Sequence, residues 1–141
     1  MRREAAMWKR LRPCLQAARL DPVRVENPIH PGTPDVNLVT GAWLELKSIE
    51  SFPQRASTIV RIPHFTPQQR VWLLRRWLSG GATYLVLQVV EPDFWYVFDG
   101  YVAAKTVGRA PREVLTRVAR QSYHRELRGL AEFLNGARRA A

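Results

Sequence analysis

Gly32-Thr33-Pro34-Asp35-Val36-Asn37-Leu38-Val39-Thr40-Gly41-Ala42-Trp43-Leu44-Glu45-Leu46-Lys47 is the stretch on which the fold turns. From Trp43 to Lys47 the residues alternate. Leu44 and Leu46 fall on one face of a strand, and Trp43, Glu45 and Lys47 fall on the other. Val36 to Val39 is predicted to be the preceding strand, with Thr40-Gly41 as the turn. A tight hairpin of this kind brings Asp35 back beside Glu45 and Lys47. Two carboxylates then converge with a lysine next to them. Hard oxygen donors bind Mg²⁺, which commonly sits on one or two carboxylates plus substrate phosphates. The lysine can hold a phosphate or an attacking water. These are the minimum parts for metal-assisted phosphodiester hydrolysis. The plainer alternative is a turn aspartate beside a cross-strand ion pair.

Outward from the hairpin, residues 3 to 19 carry Met7, Trp8, Leu11, Leu15 and Ala18 on one helical stripe. At about 100° per residue, Glu4 falls in line with Leu11 and Leu15. A carboxylate aimed at a core needs a partner. Pro13 falls on the wet face, and Asp21-Pro22 ends the helix. Val23 to Asn27 reads as a strand and Pro28 to Pro34 as a loop. Ser51 to Ile62, with Pro53, reads as an exposed loop. Thr66-Pro67-Gln68-Gln69 is a helix start, with Thr at the N-cap, Pro at N1 and Gln at N3. That helix is predicted to reach about Ser79, where Gly80-Gly81 closes it. Val71, Leu73, Leu74, Trp77 and Leu78 form its expected buried arc. Tyr84 to Val90 and Phe94 to Phe98 are further strands. After Pro111, one or two helices carry Val114, Leu115, Val118, Leu127, Leu130, Phe133 and Leu134.

The 141 residues are expected to form one domain, with a core at about 3–99 and a basic helical C-terminal extension at about 101–141. No apolar run is long enough to span a membrane, and no apolar segment follows the charged N-terminus as in a secretory signal. The single Cys14 excludes an internal disulfide and a cysteine-based zinc cage. It is expected as a buried filler in a reducing cytoplasm. The net charge is +10. From Tyr101 onward there are nine Lys/Arg against three Asp/Glu. Such a balance suits an anionic partner, here nucleic acid. An arginine-rich host proteome or a need for solubility would produce the same bias.

Pro34-Asp35, nine residues, then Glu45-Leu46-Lys47 resembles the motif of the PD-(D/E)xK nuclease superfamily. Arg24-Val25-Glu26-Asn27, Gly32-Thr33-Pro34-Asp35, Trp43 to Lys47 and Thr66 to Leu73 together resemble the virus-type replication-repair nuclease (VRR-NUC) domains and related small phage Holliday-junction-resolvase-like proteins. The resemblance covers roughly Glu4 to Val90. It implies an α/β fold with a restriction-endonuclease-like core: a mixed central sheet of about five strands flanked by helices, with extra C-terminal helices. It also implies a Mg²⁺-dependent endonuclease, with Mn²⁺ able to substitute. The substrate would be branched, flap or four-way-junction DNA in phage or virus-type replication, recombination or repair. A phage-encoded enzyme would work in the bacterial cytoplasm, and a homodimer would suit paired incisions. The alternatives are a non-catalytic nucleic-acid-binding module on the same fold, or a restriction-like duplex endonuclease.

The resemblance assigns roles. Asp35, Glu45 and the carbonyl of Leu46 would hold the metal, and Lys47 would serve the water or the phosphate. Glu4 would be a further ligand from the first helix, otherwise simply an acid favoured by the helix dipole. Glu26 would be an additional acid near the site, or else the partner of an arginine such as Arg24. Gln69 would stand beside the active site, or else be spent on its capping box. Arg70, Arg75, Arg76, Arg112, Arg117 and Arg120 are the candidate nucleic-acid contacts. Trp72, off the apolar arc and flanked by Arg75 and Arg76, could stack on a base or pack against another element. His30 and His64 read as loop residues.

Overall fold

The computed structural model describes residues 3–27 and 29–137. Its elements run α1 (Arg3–Ala17), β1 (Val23–Arg24), β2 (Val36–Asn37), β3 (Trp43–Ser51), α2 (Pro67–Leu78), β4 (Thr83–Glu91), β5 (Phe94–Asp99), α3 (Gly100–Thr106), α4 (Arg112–Val118), β6 (Gln121–His124) and α5 (Arg128–Gly136). The six strands form one sheet in sequence order. Only β3 and β4 are parallel; α2 makes the crossover between them, and every other neighbouring pair is antiparallel. This is the mixed α/β architecture expected, with one strand more.

Alternation along β3 divides the core. Leu44 and Leu46 pack with Met7, Leu11 and Leu15 of α1 and with Leu130, Ala131 and Leu134 of α5. Ile49 packs on the other face with Leu73 of α2, Ala103 of α3 and Leu115 of α4. Pro13 is exposed inside α1, on the wet face. Cys14 is only half-buried beside it.

Several boundaries differ from the sequence reading. The sixth strand lies in the region expected to be helical. Gln121-Ser122-Tyr123-His124 is polar and half-exposed, so it carries no buried stripe for a pattern to reveal; β5 supplies its pairing as an edge strand. The C-terminal region is therefore built into the sheet rather than appended to it. β1 and β2 are two residues each, while β3 runs on to Ser51. The loop after β3 is pinned midway, where the Val60 amide donates to the Ala110 carbonyl at 3.0 Å.

Helix α2 starts on the expected capping box. It closes in a Schellman pattern, with Gly81 N–H on the Arg76 carbonyl and Gly80 N–H on that of Trp77. Its buried arc is rotated from the one expected. Val71 and Leu78 are exposed, Leu73 is fully buried, and Arg70 takes an inward position in line with Leu73 and Trp77. Arg70, expected as a nucleic-acid contact, turns inward instead. The helix lies against α3 as well as the sheet, and α3 offers Arg70 acceptors.

Candidate active site

The register Val36↔Leu44 sets Asp35 opposite Glu45 and Pro34 opposite Leu46 if β2 were extended backwards. Pro34 stops that extension, because it has no N–H for the ladder. Among the described residues, Leu46 to Ser51 pair only with β4. The Leu46 amide, which a longer β2 would have served, donates instead to Oδ2 of Asp35 at 2.8 Å. Opposed antiparallel residues exchange both bonds, so one residue's N–H and C=O share an edge. The Leu46 carbonyl therefore opens on the same gap.

Glu45 stands on the adjoining face and is 1% exposed. Neither of its carboxylate oxygens has a hydrogen-bond partner among the described residues. Burial raises its pKa well above the ordinary carboxylate value. The neighbouring Asp35 carboxylate adds to that rise, Lys47 opposes it, and Glu4 adds a smaller push. The Lys47 ammonium lies 3.7 Å from Glu45 Oε2 and donates to the His64 carbonyl at 2.9 Å. Asp35, Glu45 and Lys47 thus do meet, at the point where β2 and β3 part.

The loop carrying Asp35 is seated on the start of α2. Gly32 has φ +90°, and a Cβ there would lie 2.5 Å from the Gln68 carbonyl oxygen. Only glycine fits both the turn and the approach.

The remaining candidates sit further out. Glu4 is half-buried in the first turn of α1, near enough to Glu45 for its charge to be felt. Glu26 is exposed beyond the end of β1 and makes no ion pair among the described residues; Arg24 instead covers the Trp8 ring at 5.4 Å. The Gln69 side chain accepts the Thr66 amide at 2.9 Å, as the capping box requires. Arg75 is exposed. Arg76 lies over Trp72 at 5.0 Å, and Trp72 meets Trp43 edge-on at 5.4 Å, so that indole is half-covered. Arg112 lies over Phe52, Arg117 is exposed, and Arg120 bridges Asp99 at 3.2 Å.

Arg70 is no surface cation. Its Nη1 donates to the carbonyls of Ala103 (3.4 Å) and Ala104 (3.2 Å), and its guanidinium lies 4.2 Å from the Phe65 ring centre. Burial lowers its pKa, and the Arg109 charge adds to the effect. Phe65 and Arg70 occupy the N′ and N4 positions flanking the capping box. An apolar pair there is a hydrophobic staple, and here an arginine takes the second place. The sequence reading missed Phe65 and the His64 carbonyl, although the capping box it identified points to both flanking positions.

Among the described residues, no three His, Cys, Asp or Glu side chains cluster closely enough to hold a metal ion by themselves. Two carboxylates do, however, face each other, one with both oxygens buried and met by no hydrogen-bond donor closer than the Lys47 ammonium at 3.7 Å, beside an open main-chain carbonyl. Such a donor set fits a hard divalent cation completed by water and phosphate oxygens. No helix among the described residues is long and apolar enough to cross a membrane. Comparison with family models, curated proteins and solved structures gave no match to the chain.

Proposed function

We propose that the chain is a Mg²⁺-dependent nuclease that hydrolyses DNA phosphodiester bonds at the gap between β2 and β3. The observation that carries this reading is Glu45. Burying a carboxylate against a second carboxylate, with a lysine no closer than 3.7 Å, is costly, and a pure binding module gains nothing from it. A site that takes up a cation recovers that cost on binding.

Asp35, Glu45 and the Leu46 carbonyl would hold the ion, with Mn²⁺ as a substitute. When bound, the ion supplies Lewis-acid charge beside a phosphate. Water attacks phosphorus and gives up a proton to solvent, the bond to the leaving sugar oxygen breaks, and that oxygen takes a proton from solvent to leave as a hydroxyl. The Lys47 ammonium, held by the His64 carbonyl, orients that water and balances negative charge growing on the phosphate oxygens. Asp35 keeps the Leu46 amide satisfied and so fixes the edge against which the phosphate lies. The net charge of +10 suits a polyanionic substrate. Branched DNA as the preferred form, and a homodimer, rest on the motif resemblance.

The test offers labelled duplex, flap, four-way-junction and single-stranded DNA with Mg²⁺ or with EDTA. Cutting of at least one form is expected in Mg²⁺ and none in EDTA. Undiminished cutting in excess EDTA overturns the reading. Binding without cutting of any form favours the non-catalytic module.

A further inference from the structure

We infer that Arg70 is a positioning residue that holds the Lys47 ammonium in place through the His64-Phe65 segment. This role rests on the nuclease reading of Lys47 and adds a residue that the motif does not contain.

The geometry runs as one connected stack. The carbonyls ending α3 and the Phe65 ring hold the Arg70 guanidinium from different sides. At Gly108, φ is +85°, and a Cβ there would meet Arg70 Nη2 at 2.8 Å. The positive φ favours glycine there, and a larger residue would push the guanidinium aside. Phe65 is itself buried, and the Lys47 ammonium lies 5.8 Å from its ring centre. One residue earlier, the His64 carbonyl accepts the Lys47 proton, and His64 has φ +63°.

A non-glycine residue in the left-handed region persists only where its surroundings over-determine it. At His64 that conformation aims the carbonyl at Lys47. Its neighbour Phe65 is the anchor, and Arg70 is what the anchor rests on. A partly desolvated arginine is an expensive anchor. Leucine at this position would complete an ordinary staple, but it would remove the donor to the Ala104 carbonyl and leave Ala103 with the Val107 amide alone. The flat guanidinium serves ring and carbonyls together, which a lysine's compact ammonium would not.

The test is Arg70→Met, which keeps the bulk and removes every donor. The chain has three lysines, and Lys9 and Lys105 are exposed while Lys47 is buried. Acylation with a water-soluble lysine reagent, read peptide by peptide, therefore reports Lys47 against two internal references. Lys47 is expected to be protected in the wild type and to react several-fold faster in the variant. Single-turnover cutting in Mg²⁺ is expected to fall by about tenfold to a hundredfold, as for loss of other positioning partners, while DNA affinity in Ca²⁺ stays within about twofold. Lys47 remaining as protected as in the wild type, in a folded variant, overturns the proposal. So does unimpaired cutting with a log-affinity versus log-salt slope flatter by about 0.9, which would make Arg70 a phosphate contact. If Arg70→Met does not fold, Phe65→Leu removes the ring and keeps an apolar plug; the same rise in Lys47 reactivity is expected, and its absence overturns the proposal. Should the wild type cut no DNA, the nuclease reading fails alone, since Lys47 reactivity still reports whether Arg70 holds the ammonium.

Discussion

The two halves of β3 make an instructive contrast. Trp43 and Leu44 are paired on both edges, with β2 and with β4, whereas Leu46 to Ser51 are paired on one. Both halves alternate, and both are buried as far as Ile49, so strand propensity does not distinguish them. The difference originates on the neighbouring chain segment. Pro34 cannot continue the ladder, and Asp35 serves the Leu46 amide with its side chain. The closed half is scaffold. The open half places a carboxylate, a carbonyl and a lysine around a gap where a substrate can approach.

The sharpest way to break this contrast is Glu45→Gln. If the open half carries the chemistry, cutting should fall by about a thousandfold or more, since a neutral amide is a poor ligand for a hard cation. The same change removes a buried carboxylate without a hydrogen-bond donor but also the counter-charge of the buried Lys47, so stability in EDTA at neutral pH sets two opposed terms against each other. The sign of its pH dependence follows from the raised pKa of Glu45. A carboxyl whose folded pKa lies above its unfolded one stabilises the protein fully below the unfolded value, and loses that contribution as pH rises through the folded value. The melting temperature of Glu45→Gln relative to the wild type should therefore rise from about pH 4 toward about pH 8. A constant difference across that range would mean the carboxylate has a donor in solution. Added Mg²⁺ should raise the melting temperature of the wild type and leave that of the variant unmoved.

Next in size are Asp35→Asn and Lys47→Ala. Each should reduce cutting by about a hundredfold to a thousandfold, with DNA binding in Ca²⁺ held within about tenfold, because most affinity comes from phosphate contacts elsewhere. Asn can still accept the Leu46 amide, so the strand edge should survive in Asp35→Asn. Full activity in either variant would leave the open half with a structural role only.

How far the sequence could be read follows the same division. Period-two alternation named the two faces of β3, and the capping box named the start of α2, because both signals are local. The meeting of Asp35 with Glu45 was legible because a hairpin fixes its register over few residues. β6 was not legible, because an edge strand with no buried stripe takes its identity from β5. Nor was the inward turn of Arg70 legible: its acceptors, the Ala103 and Ala104 carbonyls, lie more than thirty residues away. A long-range hydrogen bond overrode the usual outward preference of arginine. The C-terminal helices were expected from their apolar spacing, but spacing alone could not show that Leu130 and Leu134 share a core with α1.

A smaller effect is expected at Glu4. It sits in the first turn of α1, and its charge is the weakest influence on Glu45, behind burial, Asp35 and Lys47. If it acts through the field at the open half of β3 and not as a close ligand, Glu4→Gln should slow cutting by about tenfold, with normal folding. A loss as large as that of Asp35→Asn would instead draw Glu4 into direct contact with the ion.

The smallest effect on the chemistry should come from arginines away from the gap, on α4 and where Arg120 precedes β6. Arg120 is committed to Asp99 there, and its removal would leave that carboxylate without its cation, so a change at Arg120 confuses affinity with stability. Arg112 and Arg117 are exposed and carry no ion pair among the described residues, though Arg112 also lies over Phe52. Every phosphate that goes unneutralised flattens the log-affinity versus log-salt slope by about 0.9, so Arg112→Gln with Arg117→Gln should flatten it by about two units if both track a DNA backbone. Binding should weaken alike for every DNA shape, since phosphate contacts carry no shape or sequence information of their own. Single-turnover cutting at saturating protein should change little, because neither arginine touches Asp35, Glu45 or Lys47. An unchanged slope would confine the binding surface to the neighbourhood of that open half, with the exposed Arg75 of α2 as the next cation to replace.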